Sequence, residues 1–100
     1  MRTVKIWEGR KSVKGLRRGS KKVTFTGEEL GFWSDAHPTT DERGTAYRVF
    51  RAENGEVIIH RVNWSRWSTE DDVGVVFRFP DLDAAATQFR SVLKNAGVLH

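Results

Sequence analysis

The stretch Thr45 to Trp64, TAYRVFRAENGEVIIHRVNW, decides how the fold is read. Two runs rich in β-branched and aromatic residues, Thr45 to Ala52 and Val57 to Trp64, flank Glu53-Asn54-Gly55-Glu56, and the Asn-Gly pair suits a two-residue hairpin turn. With Asn54 and Gly55 as the turn, Ala52 faces Val57, Phe50 faces Ile59, Arg48 faces Arg61 and Ala46 faces Asn63 on one side of the sheet. The other side carries Thr45, Tyr47, Val49, Arg51, Ile58, His60, Val62 and Trp64, the better candidates for a buried core.

Downstream, Val73 to Phe79 alternates as a strand, with Val73, Val75, Phe77 and Phe79 on one side and Val76 and Arg78 on the other, until Pro80 ends it. Asp81 is a credible N-cap for a helix running to about Ala96, and Gly97 stands where a left-handed C′ residue is wanted. Leu82, Ala85, Ala86, Phe89, Val92, Leu93 and Ala96 recur at helical spacing, an apolar stripe that must pack on the sheet. Upstream, Val4 to Trp7 and Lys22 to Thr26 alternate as short strands, Gly27 reads as a break, and Leu30 to Trp33 reads as one more strand. The glycine-rich basic segment at about 9–22 reads as a mobile loop, and Asp35 to Gly44, DAHPTTDERG, as a long surface loop. The expected class is α+β: a largely antiparallel curved sheet of about five strands (within four to seven) and one C-terminal amphipathic helix, in a single domain over residues 1–100.

Composition agrees with a folded chain. Of 100 residues, 38% are hydrophobic and 11% aromatic, too many for disorder, and the absence of cysteine removes disulfide frameworks and thiolate metal sites. No apolar run approaches the roughly 18 residues of a membrane span, and Met1 to Glu8 lacks a signal-peptide core, so a cytoplasmic location without integral membrane association is expected. The histidines, His37, His60 and His100, have no metal-ligand spacing, and no cofactor is implied.

Charge is unevenly spread. Residues 1–22 hold nine basic side chains against one acid, a net of +8, while the other 78 hold eight against twelve, a net of −4. Such an arm suits a polyanionic partner, although a solvated loop kept soluble by lysine and arginine has the same composition. On the hairpin, an Arg48–Arg61 pair of like charges would cost up to about 1 kcal/mol unless a carboxylate or a bound phosphate sat between them. After residue 22 the basic residues are seven arginines and one lysine, a preference that either phosphate recognition or coding bias would produce. Trp64 and Trp67, three apart, point to opposite faces if the strand persists, or both pack under the helix.

The expected function is therefore nucleic-acid binding, preferably single-stranded, with Phe50 and Trp67 offering stacking surfaces. The candidate contacts are Arg48, Phe50, Arg61, Arg78 and Trp67 on the sheet, and Lys14, Arg17, Arg18, Lys21 and Lys22 on the arm. Catalysis is disfavoured. Ser34, Asp35 and His37 are too close in sequence to converge on one substrate, and a toxin-like ribonuclease using His60, Arg61 and Glu56 would need His60 and Arg61 on one face, which adjacent strand residues are not.

From Tyr47 to Leu93 the chain resembles the single-stranded-DNA-binding transcriptional coactivators and their Whirly-type relatives: YRVFRAENGEVIIHRVNWSRW as the hairpin, GVVFRF as the next strand and DLDAAATQFRSVLKNAG as the helix. That resemblance implies a homodimer holding single-stranded nucleic acid on a basic and aromatic sheet face, with Arg48, Phe50, Arg61 and Arg78 on the matching side. VTFTGEELGFWSD and FRFPDLDAAATQFRSVL also look like pleckstrin-homology-like domains, which implies instead that the segment Arg10 to Lys22 meets anionic lipid or a protein.

Overall fold

In the computed structural model, which describes residues 1–12, 17–35, 42–65 and 71–99, five antiparallel strands close into a barrel and one helix follows. The strands are β1 (Arg2–Ser12), β2 (Arg17–Ser34), β3 (Arg43–Ala52), β4 (Val57–Ser65) and β5 (Asp71–Phe79), and the helix α1 spans Leu82–Asn95. Each strand pairs with the next, and β1 returns to β5 from Gly9–Gly74 to Ser12–Asp71. The α+β expectation stands, but the sheet is a closed barrel and not an open curved one. No helix among the described residues is long and apolar enough to cross a membrane.

β2 accounts for the closure. Eighteen residues run straight would span about 60 Å, yet the longest dimension of the molecule is 38 Å. The strand therefore bends, and Gly27 is the corner: it pairs with Arg2 of β1 and with Ala52 of β3. The two short strands expected at Lys22 to Thr26 and Leu30 to Trp33 are thus one strand, with Gly27 as its bend. Likewise, the segment expected as a mobile loop is largely strand, since residues 9–12 belong to β1 and 17–22 to β2; the tip, 13–16, lies outside the described residues.

The β3–β4 connection corrects the hairpin register. Ala52 N–H donates to the Glu56 carbonyl at 2.8 Å, Gly55 N–H donates to the Ala52 carbonyl at 2.9 Å, and Gly55 has φ +92°. This is a three-residue loop, Glu53 to Gly55, with a left-handed glycine closing it. One extra loop residue shifts the pairing by one position, so Val49 faces Ile59, Phe50 faces Ile58, Arg48 faces His60 and Tyr47 faces Arg61. Because side chains alternate, every β4 residue exchanges faces relative to the two-residue reading.

Two apolar clusters result, one on each face of β3 and β4. Inside the barrel, Val4, Ile6, Phe50, Ala52 and Ile58 are buried with Val23, Phe25 and Val76 around them. Outside, α1 lays Ala85, Ala86, Phe89, Val92 and Leu93 on Val49, Val57 and Ile59. The helix covers Tyr47 and Val49 as expected, but Val57 and Ile59 take the places assigned to Ile58, Val62 and Trp64. Its ends follow the sequence signals: the Asp81 carboxylate accepts from Ala84 N–H at 2.8 Å, and Gly97, at φ +79°, closes a Schellman motif through Val98 N–H to the Leu93 carbonyl at 2.9 Å.

Candidate functional site

The shifted register separates the residues expected to form one basic face. Arg48 lies on the barrel-interior side of β3, and its guanidinium already has a partner: Nε donates to Glu29 Oε1 at 3.1 Å and Nη2 to Glu29 Oε2 at 3.0 Å. This fork holds the Glu29 carboxyl below its ordinary value, through the hydrogen bonds first and the charges of Arg48 and Arg2 after them, while burial opposes the shift. Phe50 is 0% exposed, its ring edge-on to Phe25, and offers no surface to a base. Arg78 shares the face of Arg48 but stands at the barrel mouth with Phe25, Ala52 and Glu53, its Nη1 3.9 Å from Glu56 Oε1. The expected Arg48–Arg61 like-charge pair does not exist, because Arg61 is on the opposite face of the sheet, the face that carries the helix.

The basic arm folds as the β1–β2 hairpin. Lys5, Arg10, Lys21 and Lys22 are exposed, and Lys21 pairs with Glu8 at 3.3 Å. The backbone register sets Arg10 opposite Arg18 and Lys11 opposite Arg17, with Asp72 of β5 on the other side of Lys11. For Lys11, Arg17 and Arg18 only the backbone positions are described, and Lys14 and Trp67 lie outside the described residues.

Among the described residues, no carboxylate pairs with Arg61. Its guanidinium lies 5.1 Å from the centre of the Phe77 ring, and its Nε is buried without a hydrogen-bond partner. The pairings place it in a row that runs Trp33, Tyr47, Arg61, Val75 across β2, β3, β4 and β5. The adjacent row on the same face runs Thr45, Asn63, Val73, Arg10, Arg18 and leads from β3 onto the basic hairpin. Trp33 and Tyr47 stack with centroids 5.7 Å apart at 21°, and Thr45 Oγ1 lies 2.9 Å from Asn63 Oδ1. Asn63 was expected on the face of Arg61, but sequence reasoning missed Tyr47 and Thr45, which only the one-residue shift of β4 brings onto that face, and Arg10, which the pairing of β1 with β5 brings near.

His60 is not available as a catalytic group alongside Arg61. It is 3% exposed inside the barrel, edge-on to Trp7 at 5.6 Å, and neither imidazole nitrogen has a hydrogen-bond partner. Burial lowers its pKa, with Arg48 adding to the effect; the Trp7 backbone and the Glu8 carboxylate oppose it. The native ring therefore resists a proton that the unfolded chain accepts near the ordinary 6.5. Because the unfolded state then binds more protons, stability is full above pH 6.5 and falls as the pH drops below it, towards the lower native value. Urea unfolding at pH 7.5 and 5.5 is expected to show this loss in the natural chain and a smaller one in His60→Leu. Equal losses in both proteins would clear His60 of the effect. The Glu29 contribution is separate: its lowered carboxyl stabilises above the ordinary 4.5, and this is lost as the pH falls below that value towards the lower native one.

No family model, curated protein or solved structure matches the chain, so the functional reading rests on its own residues.

Proposed function

We propose that the chain binds nucleic acid through the basic β1–β2 hairpin. The supporting observation is the backbone register of that hairpin, which sets Arg10 opposite Arg18 and Lys11 opposite Arg17. Like charges directly across a ladder work against folding, by a few tenths of a kcal/mol to about 1 kcal/mol per pair. Asp72 is the register partner of Lys11 on β5, and its Oδ1 accepts from Ser65 N–H at 3.1 Å. Exposed Lys5 and Lys22 add two more cations to the same hairpin. A run of backbone phosphates supplies anions to such a surface, and its affinity falls with salt as counterions return.

Titration against labelled oligonucleotides at several salt concentrations tests the reading. Three to five phosphate contacts predict log–log slopes of roughly −2 to −3.5 for a single strand, and replacing both Lys5 and Lys22 by serine is expected to bring the slope about 1.4 closer to zero. A flat salt response removes the proposal.

A second reading places the same hairpin against anionic lipid, as in pleckstrin-homology-like domains; the barrel followed by a C-terminal helix favours it. Sedimentation with vesicles containing phosphatidylserine, and none with neutral vesicles, is the outcome that would prefer this reading over the first.

A further inference from the structure

Arg61 is placed as an internally paired arginine would not be. Its Nε is buried without a partner, its guanidinium carbon lies over the Phe77 ring at 5.1 Å, and no carboxylate engages it among the described residues. Arg48, one strand away and on the opposite face, shows how this chain satisfies an arginine by itself, with both ends of the fork on Glu29. A guanidinium whose inner nitrogen has been taken out of water and left unbonded gains more from an incoming anion than a fully solvated lysine does.

Its surroundings restrict the anion. In the row of Arg61, Tyr47 lies directly across β3, and beyond it Trp33 is stacked on Tyr47, with both rings half-buried. In the next row, exposed Asn63 brings an amide, and the row continues through Val73 to exposed Arg10 at the foot of the basic hairpin. Strand spacing puts Arg61 and Arg10 on the order of 10 Å apart, a distance bridged by an extended polyanion and not by one small ion. The near carboxylates are Asp35, whose Oδ1 accepts from Thr45 N–H, and Asp71, two residues before Val73 on β5; both mark the end of the face away from the helix.

We infer that this outer face is the base-contacting half of the nucleic-acid site: Arg61 holds a phosphate of a single strand, an unpaired base stacks at the Trp33–Tyr47 pair, and the strand continues over Arg10 onto the hairpin. This rests on the hairpin reading and adds to it a preference for single over double strands. Paired bases keep their flat faces inside the helix, so an aromatic platform gains nothing from a duplex, whereas a lone base is worth roughly a factor of ten or more in affinity.

The test compares a single-stranded thymidine oligonucleotide, its duplex with the complementary adenine strand, and inorganic polyphosphate, each with the natural chain and with Arg61→Met, Trp33→Leu and Trp33→Tyr. Methionine keeps an apolar stem over Phe77 while removing the charge. Arg61→Met is expected to weaken the single strand about tenfold and to bring its salt slope about 0.7 closer to zero. Trp33→Leu is expected to weaken the single strand by a similar factor with polyphosphate affinity unchanged, and Trp33→Tyr, which restores a ring, to recover most of the loss. Unfolding midpoints of the three variants, taken under the same conditions, separate lost contact from lost structure. Equal affinity for single strand and duplex, or single-strand binding indifferent to Arg61→Met and Trp33→Leu, overturns the inference and leaves the hairpin reading in place. No binding of any oligonucleotide by the natural chain overturns both.

Discussion

Gly27→Ala is expected to cost roughly 3 kcal/mol or more, the upper end of what overpacking does, and to lower the unfolding temperature by about 12 °C or more for a chain of this size. A β-carbon built on Gly27 would lie 2.3 Å from the Arg51 carbonyl oxygen and 3.1 Å from the Ala52 α-carbon. Both are backbone atoms, so no side-chain rotation relieves the contact. Either β3 moves away from β2, which gives up the pairing at the corner, or the corner opens, which moves β1 from β3. Gly55 provides the comparison. It has φ +92° but open space around its α-carbon, so Gly55→Ala carries backbone strain alone, about 1 kcal/mol. Thermal unfolding followed by far-ultraviolet circular dichroism measures both. Equal losses at the two positions would mean that the bend tolerates a side chain and that closure of the barrel does not depend on the close approach at Gly27.

What was legible in the sequence was local. The helix announces itself through a cap at Asp81, an apolar stripe and a glycine at 97, each within a turn or two of the feature it dictates, and all of them hold. The register of β4 was not legible, for a reason that lies in the barrel. Val57, Ile58, Ile59 and His60 are all buried, so the strand meets apolar atoms on both faces and lacks the alternation that fixes a register. Only the turn length remained to decide, and Asn-Gly serves a three-residue loop ending in a left-handed glycine as well as it serves a two-residue turn. Gly27 was ambiguous in the same way: a glycine that ends a strand and one that bends it look alike until the pairing on both sides is known. The return of β1 to β5 joins positions 59 to 65 residues apart and leaves no local trace. For the candidate site, the basic charge of residues 9–22 could be read from the sequence but its strand pairing could not, and the Tyr47 and Thr45 beside Arg61 depend on the shifted register, as Arg10 does on the closure of the barrel.

Phe50→Ala is expected to cost about 3–5 kcal/mol while leaving oligonucleotide affinity of the folded fraction unchanged, the opposite of what a stacking residue would do. The ring is fully buried inside the barrel, edge-on to Phe25 at 5.5 Å, with the Arg48 guanidinium 5.0 Å from its centre on the way to Glu29. Truncation removes that packing and leaves a cavity between β2, β3 and β4 that the closed barrel cannot collapse to fill. In a chain whose total stability lies in the usual range of roughly 5–15 kcal/mol, the loss brings the alanine variant near its limit. Phe50→Leu, at roughly 1–2 kcal/mol, keeps the comparison measurable. Urea unfolding and the single-strand titration, run on the same samples, then read stability and binding separately. A leucine variant that keeps its unfolding midpoint but loses the single strand would put Phe50 on the nucleic-acid face, and the one-residue shift that carried Arg61 to the outside of the barrel would have to be abandoned with it.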